Sequence, residues 1–303
     1  MVKNGHAVIP GVQYAPPAGD AAGVEVVTLA ELHRRMQEHQ SSPRAQRPDF
    51  HLLLTVDRGV IVHMVDFHDH VVADGAWLLV RPGQVQRFGD LSSASGSVVM
   101  FPAGTLPATT AAEASLDDPF GRMLWTPAGA EGDAVRQALA HLTQEYGAGD
   151  VPEPARSAIL RHLLAVLVLR VTNLTTSAGT PRGPADDTFL RFRAAVEKGF
   201  AEHRDVAHYA RRLGYAPRTL TRATIEAAGV GAKEFIDQRV ILEAKRLLAH
   251  TDDPAASIAA RLGFPDASNF VKYFALRANA TPTAFRAQFR SGAGQGPAGP
   301  QGS

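Results

Sequence analysis

Two kinds of hydrophobic pattern divide the chain. Over residues 24–101 the apolar positions come in short runs, "FHLLLTVDRGVIVHMVDF" and "HVVADGAWLLVRPGQVQRF", rich in β-branched and aromatic residues. Asp57-Arg58-Gly59, Asp74-Gly75 and Pro82-Gly83 interrupt them as turn signals. Short strands broken at such intervals predict an antiparallel β sandwich or barrel. After Pro127 the period lengthens, and residues 131–146 and 152–174 predict two helices. In the second, Ile159, Leu163, Val166, Leu167 and Arg170 fall on one side, while Leu160, Leu164, Val168 and Val171 form another apolar stripe. A helix apolar on two sides needs two partners. The β layer is one, and a second copy of the chain is the expected other.

Residues 175–187 are polar with Gly and Pro and read as a linker. Helical pattern then fills residues 188–290. Residues 1–22, rich in Gly, Ala and Pro, are expected to be loose, and residues 291–303 form a low-complexity tail with nothing to bury. Inside 188–290 the punctuation predicts about seven helices. Pro217, Pro254 and Pro282 sit where a first helical turn begins and a missing N–H costs nothing. Asp253 and Thr281 are the expected N-caps of two of them. Gly214 and Gly263 end short helices, where a left-handed residue is needed. Residues 232–249 read as one connecting helix. Two related strings flank it, "ARRLGYAPRTLTRAT" at 210–224 and "AARLGFPDASNFVKYF" at 259–274. Each predicts a short helix, a turn and a new helix, so the device is repeated.

Charge sharpens this division. The formal net charge is +1, but residues 188–290 hold 17 Lys and Arg against 10 Asp and Glu, and the remainder holds 14 against 20. A basic module on an acidic remainder suits a polyanion. The chain has no cysteine, which excludes disulfides, thiolate nucleophiles and cysteine-based zinc sites. The most apolar run, residues 158–171, contains Arg161, His162 and Arg170 and is too short and too charged to span a bilayer. "MVKNGHAVIPGVQY" lacks a signal-type apolar region, so no membrane association and a cytoplasmic location are the expectations.

In a helix-turn-helix the second helix enters the major groove and presents side chains to base edges. In the first unit the outward candidates are Arg218, Thr219, Thr221 and Arg222, with Leu220 facing the core. In the second they are Asp266, Ala267, Ser268, Asn269 and Lys272, with Phe270 and Phe274 inward. Arg pairs bidentately with guanine and Asn with adenine.

With "GVGAKEFIDQRVILEAKRLL", "IAARLGFPDASNFVKYF" and "TPTAFRAQFR" in order and spacing, residues 188–290 resemble the DNA-binding domain of the AraC/XylS family of bacterial transcription regulators. Two departures stand out. Thr224 occupies a position that is usually a large apolar residue, so the first recognition helix is expected to pack less firmly. Asn279 replaces a usual Gly, a mild change because Asn tolerates the left-handed conformation.

The N-terminal region resembles the cupin-like sensory domain found in many such regulators, through "FHLLLTVDRG", "VDF" and "VRPGQVQRF". The resemblance implies an α+β protein: a cupin-like β-barrel with flanking helices over residues 23–174, serving effector binding and dimerisation, and an all-α domain with two helix-turn-helix units. "VDFHDH" contains His68-x-His70, which in metal cupins supplies ligands. Here His68-Asp69 is expected to form the hairpin turn, and Arg47 and Gln86 stand where metal cupins have histidines. No metal and no cofactor are therefore expected. His51, His63, Trp77, Arg81 and Gln86 are candidate effector-binding residues, some of them facing the lumen. An Arg beside an aromatic wall suits a small carboxylate. The competing reading is a metal-binding cupin enzyme with an accessory helical domain. It lacks a ligand set, a nucleophile with a base and a phosphate loop, so no enzymatic activity is expected. The resulting expectation is an effector-controlled, sequence-specific regulator. Its partners are operator DNA, a small molecule, a second copy of the chain and, for an activator, RNA polymerase.

Overall fold

The computed structural model describes residues 11–15, 23–38, 45–118, 121–148, 151–174 and 184–291. Most of the expected loose N-terminal segment, most of the expected linker and nearly all of the expected tail lie outside these residues. The chain forms two compact units, one within Ile9–Thr176 and one within Ser177–Ser303.

The first unit runs β1 (Gly11–Val12), β2 (Glu25–Thr28), α1 (Leu29–Glu38), β3 (Arg47–Pro48), β4 (Phe50–Arg58), β5 (Ile61–Val65), β6 (His68–Val72) and β7 (Trp77–Val80). It continues with β8 (Gln86–Arg87), β9 (Ser95–Pro102), α2 (Ala108–Glu113), β10 (Leu124–Trp125), α3 (Gly129–Gly147) and α4 (Glu153–Thr172). An antiparallel five-stranded sheet has the order β10-β7-β4-β9-β2, a three-stranded sheet has β6-β5-β8, and β1 pairs with β3. Among the described residues no sheet closes on itself, which corrects the expected barrel. The large sheet ends on β2 and β10, strands of four and two residues that hydrogen-bond no strand of the small sheet.

Side-chain alternation sorts the strand residues between two apolar layers. Leu53, Trp77, Leu79, Val99 and Phe101 pack with Val135, Leu139, Leu142, Leu160, Leu164, Leu167, Val168 and Val171 of α3 and α4. Leu52, Leu54, Val56, Leu78, Val80 and Val98 pack instead with Ile61, Val65 and Val72 of the small sheet and with Phe88, which follows β8. With both faces of the large sheet covered, its strands read as continuous apolar runs. Leu167, grouped by its spacing with Ile159, Leu163 and Val166, is fully buried together with the other stripe, whereas Ile159 and Val166 remain exposed.

The β5–β6 turn also differs from expectation. Its residues are Asp66 and Phe67, both at positive φ (48° and 71°), and His68 and Asp69 already belong to β6. Two consecutive residues at positive φ match the twist of a tight hairpin. The Asp66 carboxylate holds this strained position by accepting from Val85 N at 3.1 Å and Gln84 Nε2 at 2.8 Å.

The second unit is helical: α5 (Pro184–Gly199), α6 (Val206–Leu213), α7 (Pro217–Ala228), α8 (Ala232–His250), α9 (Ala255–Arg261), α10 (Ala267–Ala278) and α11 (Pro282–Ser291). Seven helices among the described residues match the pattern of the sequence, and α5 starts four residues earlier than Thr188. Gly214 caps α6 at φ 73°, Asn279 caps α10 at φ 50°, and Thr281 Oγ1 accepts from Ala284 N at 3.1 Å. One cap moves: Pro254 itself is the N-cap of α9, and Asp253, one residue outside, pairs with Arg261 at 3.1 Å. No described helix is long and apolar enough to cross a membrane.

Candidate nucleic-acid interface

α7 starts with Pro217 in its first turn and buries Leu220, Ala223 and Thr224. Thr224 is fully buried, and its hydroxyl donates to Leu220 O at 2.7 Å, so the polar group costs little at a position where a large apolar residue is usual. Arg218 and Arg222 are exposed, Thr219 and Thr221 half-buried. The Thr221 hydroxyl donates to Pro217 O at 3.0 Å, and Arg222 Nε lies 3.8 Å from Glu226.

α10 buries Phe270 and Phe274, which pack in series with Phe264 and Phe285 at ring separations of 5.3, 5.9 and 5.6 Å. Asp266 is its N-cap, accepting from Asn269 N at 2.7 Å and from Asn269 Nδ2 at 2.8 Å. This anchors the helix start and pre-sets the Asn269 amide, so Asp266 has a capping task of its own. Ser268, Asn269 and Lys272 are exposed and Ala267 is half-buried.

The two helices share an outward stripe spaced i, i+3, i+7. On α7 it is Arg218, Thr221 and Ile225; on α10 it is Asn269, Lys272 and Leu276. Ile225 and Leu276 were not among the residues singled out from the sequence. Their spacing was the available signal, but the same spacing can equally mark a core stripe, and exposure is what separates the two.

A polar clamp braces α10. Asp237 of α8, only 2% exposed, accepts from Tyr273 Oη at 2.7 Å and Arg277 at 2.7 Å, and pairs with Lys233. Burial opposes ionisation of this carboxyl, but the bonds from Lys233, Tyr273 and Arg277 outweigh it and hold its pKa below the ordinary value. The Arg204 guanidinium lies 3.4 Å over the Phe264 ring and donates to Leu262 O. Burial lowers its pKa. Arg239 of α8 pairs with Glu197 of α5 at 2.7 Å and covers Phe200 at 3.9 Å. Of these contacts only Lys233–Asp237 is local enough to be suggested by spacing along one helix.

The five candidate effector residues are divided between the two layers of the first unit. Trp77 is a core residue of the helix-covered layer. His51, 1% exposed, stacks on Phe101 of that layer with ring centroids 5.0 Å apart. Its Nε2 is 3.1 Å from Asp117 Oδ1 without hydrogen-bond alignment. Burial pushes the imidazole down to about 4, against the attraction of Asp117. Arg81 donates to Leu116 O and Arg122 O, each at 2.9 Å, and so fastens the segment before β10.

His63 and Gln86 lie on the small sheet. His63 is directly opposite His70 and meets Phe88 edge-on at 4.7 Å. Burial, then the charge of His70, push it down to about 3, with the Gln86 side chain opposing. Neither ring nitrogen has a well-formed hydrogen bond.

Residues 209–288 match the family model described as a helix-turn-helix domain. The chain is 24% identical over 255 residues to the HTH-type transcriptional activator RhaS of Escherichia coli O139:H28, covering 80% of this chain and 89% of that protein. RhaS of Shigella dysenteriae serotype 1 is 22% identical over 290 residues, covering 92% and 96%. Among solved structures, ToxT from Vibrio cholerae is 12% identical with a TM-score of 0.41, covering 87% of this chain and 98% of that one.

Proposed function

The chain belongs to the AraC/XylS family of DNA-binding transcription regulators, and on that premise we propose how it reads DNA: α7 and α10 enter successive major-groove segments on one face of a promoter. The observation that carries this reading is an outward stripe of the same spacing on each of two helices, with α10 braced to the connecting helix by Asp237 and α7 packed on it. Successive grooves are about 34 Å apart. The 19 residues of α8 span about 28 Å, and the helices packed at its ends supply the remainder. Arg218 and Arg222 suit guanine, Asn269 suits adenine, and Lys272 suits either a base or a phosphate. Thr219, Thr221, Ala267 and Ser268 line the same approach, and Asp266 holds Asn269 in place.

The test uses the full chain on the operator mapped by genome-wide occupancy in the native host. Arg222→Ala and Asn269→Ala should each weaken binding by about 5- to 150-fold and relax preference at one position, corresponding to about 1–3 kcal/mol. If both leave affinity unchanged, the groove assignment fails. Inserting five base pairs between the two protected segments should also abolish their joint use, because it turns one groove to the opposite face.

The same proposal gives the first unit the sensing and pairing tasks. A small molecule is the effector, with His63 and Gln86 as contacts from the layer between the sheets. Arg81, tied to two backbone carbonyls, is less suited to a carboxylate than its sequence position suggested. Self-association uses the outer side of α4, where Ile159 and Val166 are exposed beside α3. The relatives are named activators; as an activator in the cytoplasm, this chain would take RNA polymerase as its partner at the promoter.

A further inference from the structure

We propose that Ile225 and Leu276 are specificity residues, each packing against the C5-methyl group of a thymine at the far end of the groove segment read by its helix. The inference rests on the groove-reading role of α7 and α10. It begins with an unusual exposure. Among the described residues, the second unit leaves two large aliphatic side chains open to solvent: Ile225 at 53% and Leu276 at 76%. One is on each recognition helix.

Their spacing is alike, although counted from the buried residues Leu220 and Phe270 the two stripes lie one position, about 100° of helix rotation, apart. Ile225 follows Arg218 by seven residues and Thr221 by four; Leu276 follows Asn269 by seven and Lys272 by four. Seven residues make almost two full helical turns, so each aliphatic group lies in line with the polar residues proposed to meet bases. The buried residues Leu220 and Thr224 on α7, and Phe270 and Phe274 on α10, lie about 100° or more around the helix from these aliphatic groups. Neither aliphatic side chain therefore points toward the core of its own unit.

In the major groove the thymine methyl is the one apolar group on a base edge, and aliphatic side chains recognise it by contact. Along the helix axis seven residues span about 10.5 Å, comparable to about three base-pair rises of 3.4 Å. Each segment should therefore carry a thymine about three base pairs from the base met by Arg218 or by Asn269. Guanine and adenine recognition would use the polar half of each stripe, and thymine recognition the apolar end.

The experiment replaces thymines in the mapped operator one at a time by deoxyuridine, which removes only the methyl group. Binding of the full chain is compared with that of the Ile225→Ala and Leu276→Ala variants, with thermal melting to verify that each variant is folded. The wild-type chain should lose about four-fold at one thymine in each segment, the change expected for one buried methyl-sized group. Ile225→Ala should lose that sensitivity in one segment only and Leu276→Ala in the other only. If both variants keep the full wild-type sensitivity, or the wild-type chain is indifferent to every replacement, the proposal is overturned. A Leu276→Ala chain that binds DNA normally but activates transcription poorly would also overturn it, assigning the side chain to a protein contact. Arg222→Ala and Asn269→Ala separate the two levels: if they weaken binding while the methyl scan is flat, the groove reading stands and this inference fails.

Discussion

His63 and Asp237 make opposite uses of burial. His63 stays neutral in the folded chain down to about pH 3, whereas an exposed histidine takes up its proton near 6.5. The unfolded chain therefore binds more protons between those values, and stability falls as pH drops through that window. Lowering pH from 7 to 5 should cost the first unit about 1–2 kcal/mol through this residue, and His63→Leu should reduce the dependence, leaving the part that buried His51 contributes in the same window. Urea unfolding followed by tryptophan fluorescence measures this cleanly, because both tryptophans, Trp77 and Trp125, lie in that unit. Asp237 is instead buried as a charge with three partners. Asp237→Ala should destabilise the helical unit by about 2–3 kcal/mol, read as a lowered melting temperature by circular dichroism. Glu31→Gln is the control, since its partner Arg34 is exposed and Arg35 only half-buried, and pairs this open to solvent contribute little.

At the scale of elements, the two turns that looked alike in the sequence differ in how closely they are packed. Gly214 and Gly263 both lie in the left-handed region, at φ 73° and 70°. A Cβ on Gly214 would meet nothing within 4 Å, whereas one on Gly263 would sit 2.0 Å from Ala201 O. Gly214→Ala should cost about 1–2 kcal/mol of backbone strain. Gly263→Ala adds a clash with main chain and should cost about 2–5 kcal/mol. Denaturant titration of the two variants tests the difference, and equal losses would mean that the 199–204 segment yields easily. The helix boundaries were legible because Pro, Gly and capping residues act within one turn. The hairpin turn was not: Asp66 tolerates positive φ because Gln84 and Val85, distant in sequence, bond its carboxylate.

For the whole molecule, the proposal of a homodimer rests on the outer side of α4. Analytical ultracentrifugation at micromolar concentration should show a dimer, and Ile159→Glu with Val166→Glu should shift it to monomer without unfolding. Monomer alone, with and without DNA, would remove the pairing role. The expected operator then holds two copies of the groove pair, and the variant that cannot pair should protect only one.

Legible in the amino-acid sequence were the division into a strand-rich and a helical unit, the seven helices and the two repeated turn-helix strings. Each is written in local periodicity and in residues that start or stop a helix. Phe270 and Phe274 as core, and Arg218, Arg222, Asn269 and Lys272 as surface, follow from that periodicity once the helices are set. Tertiary structure alone decided which layer each strand residue enters. Alternation says that His51 and Leu52 face opposite ways, but not which way is covered by α3 and α4 and which by a second sheet. For the same reason the five candidate effector residues looked like one set in the sequence and are two sets in space. Exposure of Ile225 and Leu276 was likewise invisible, because a helical stripe of apolar and polar residues becomes a surface only when nothing packs against it.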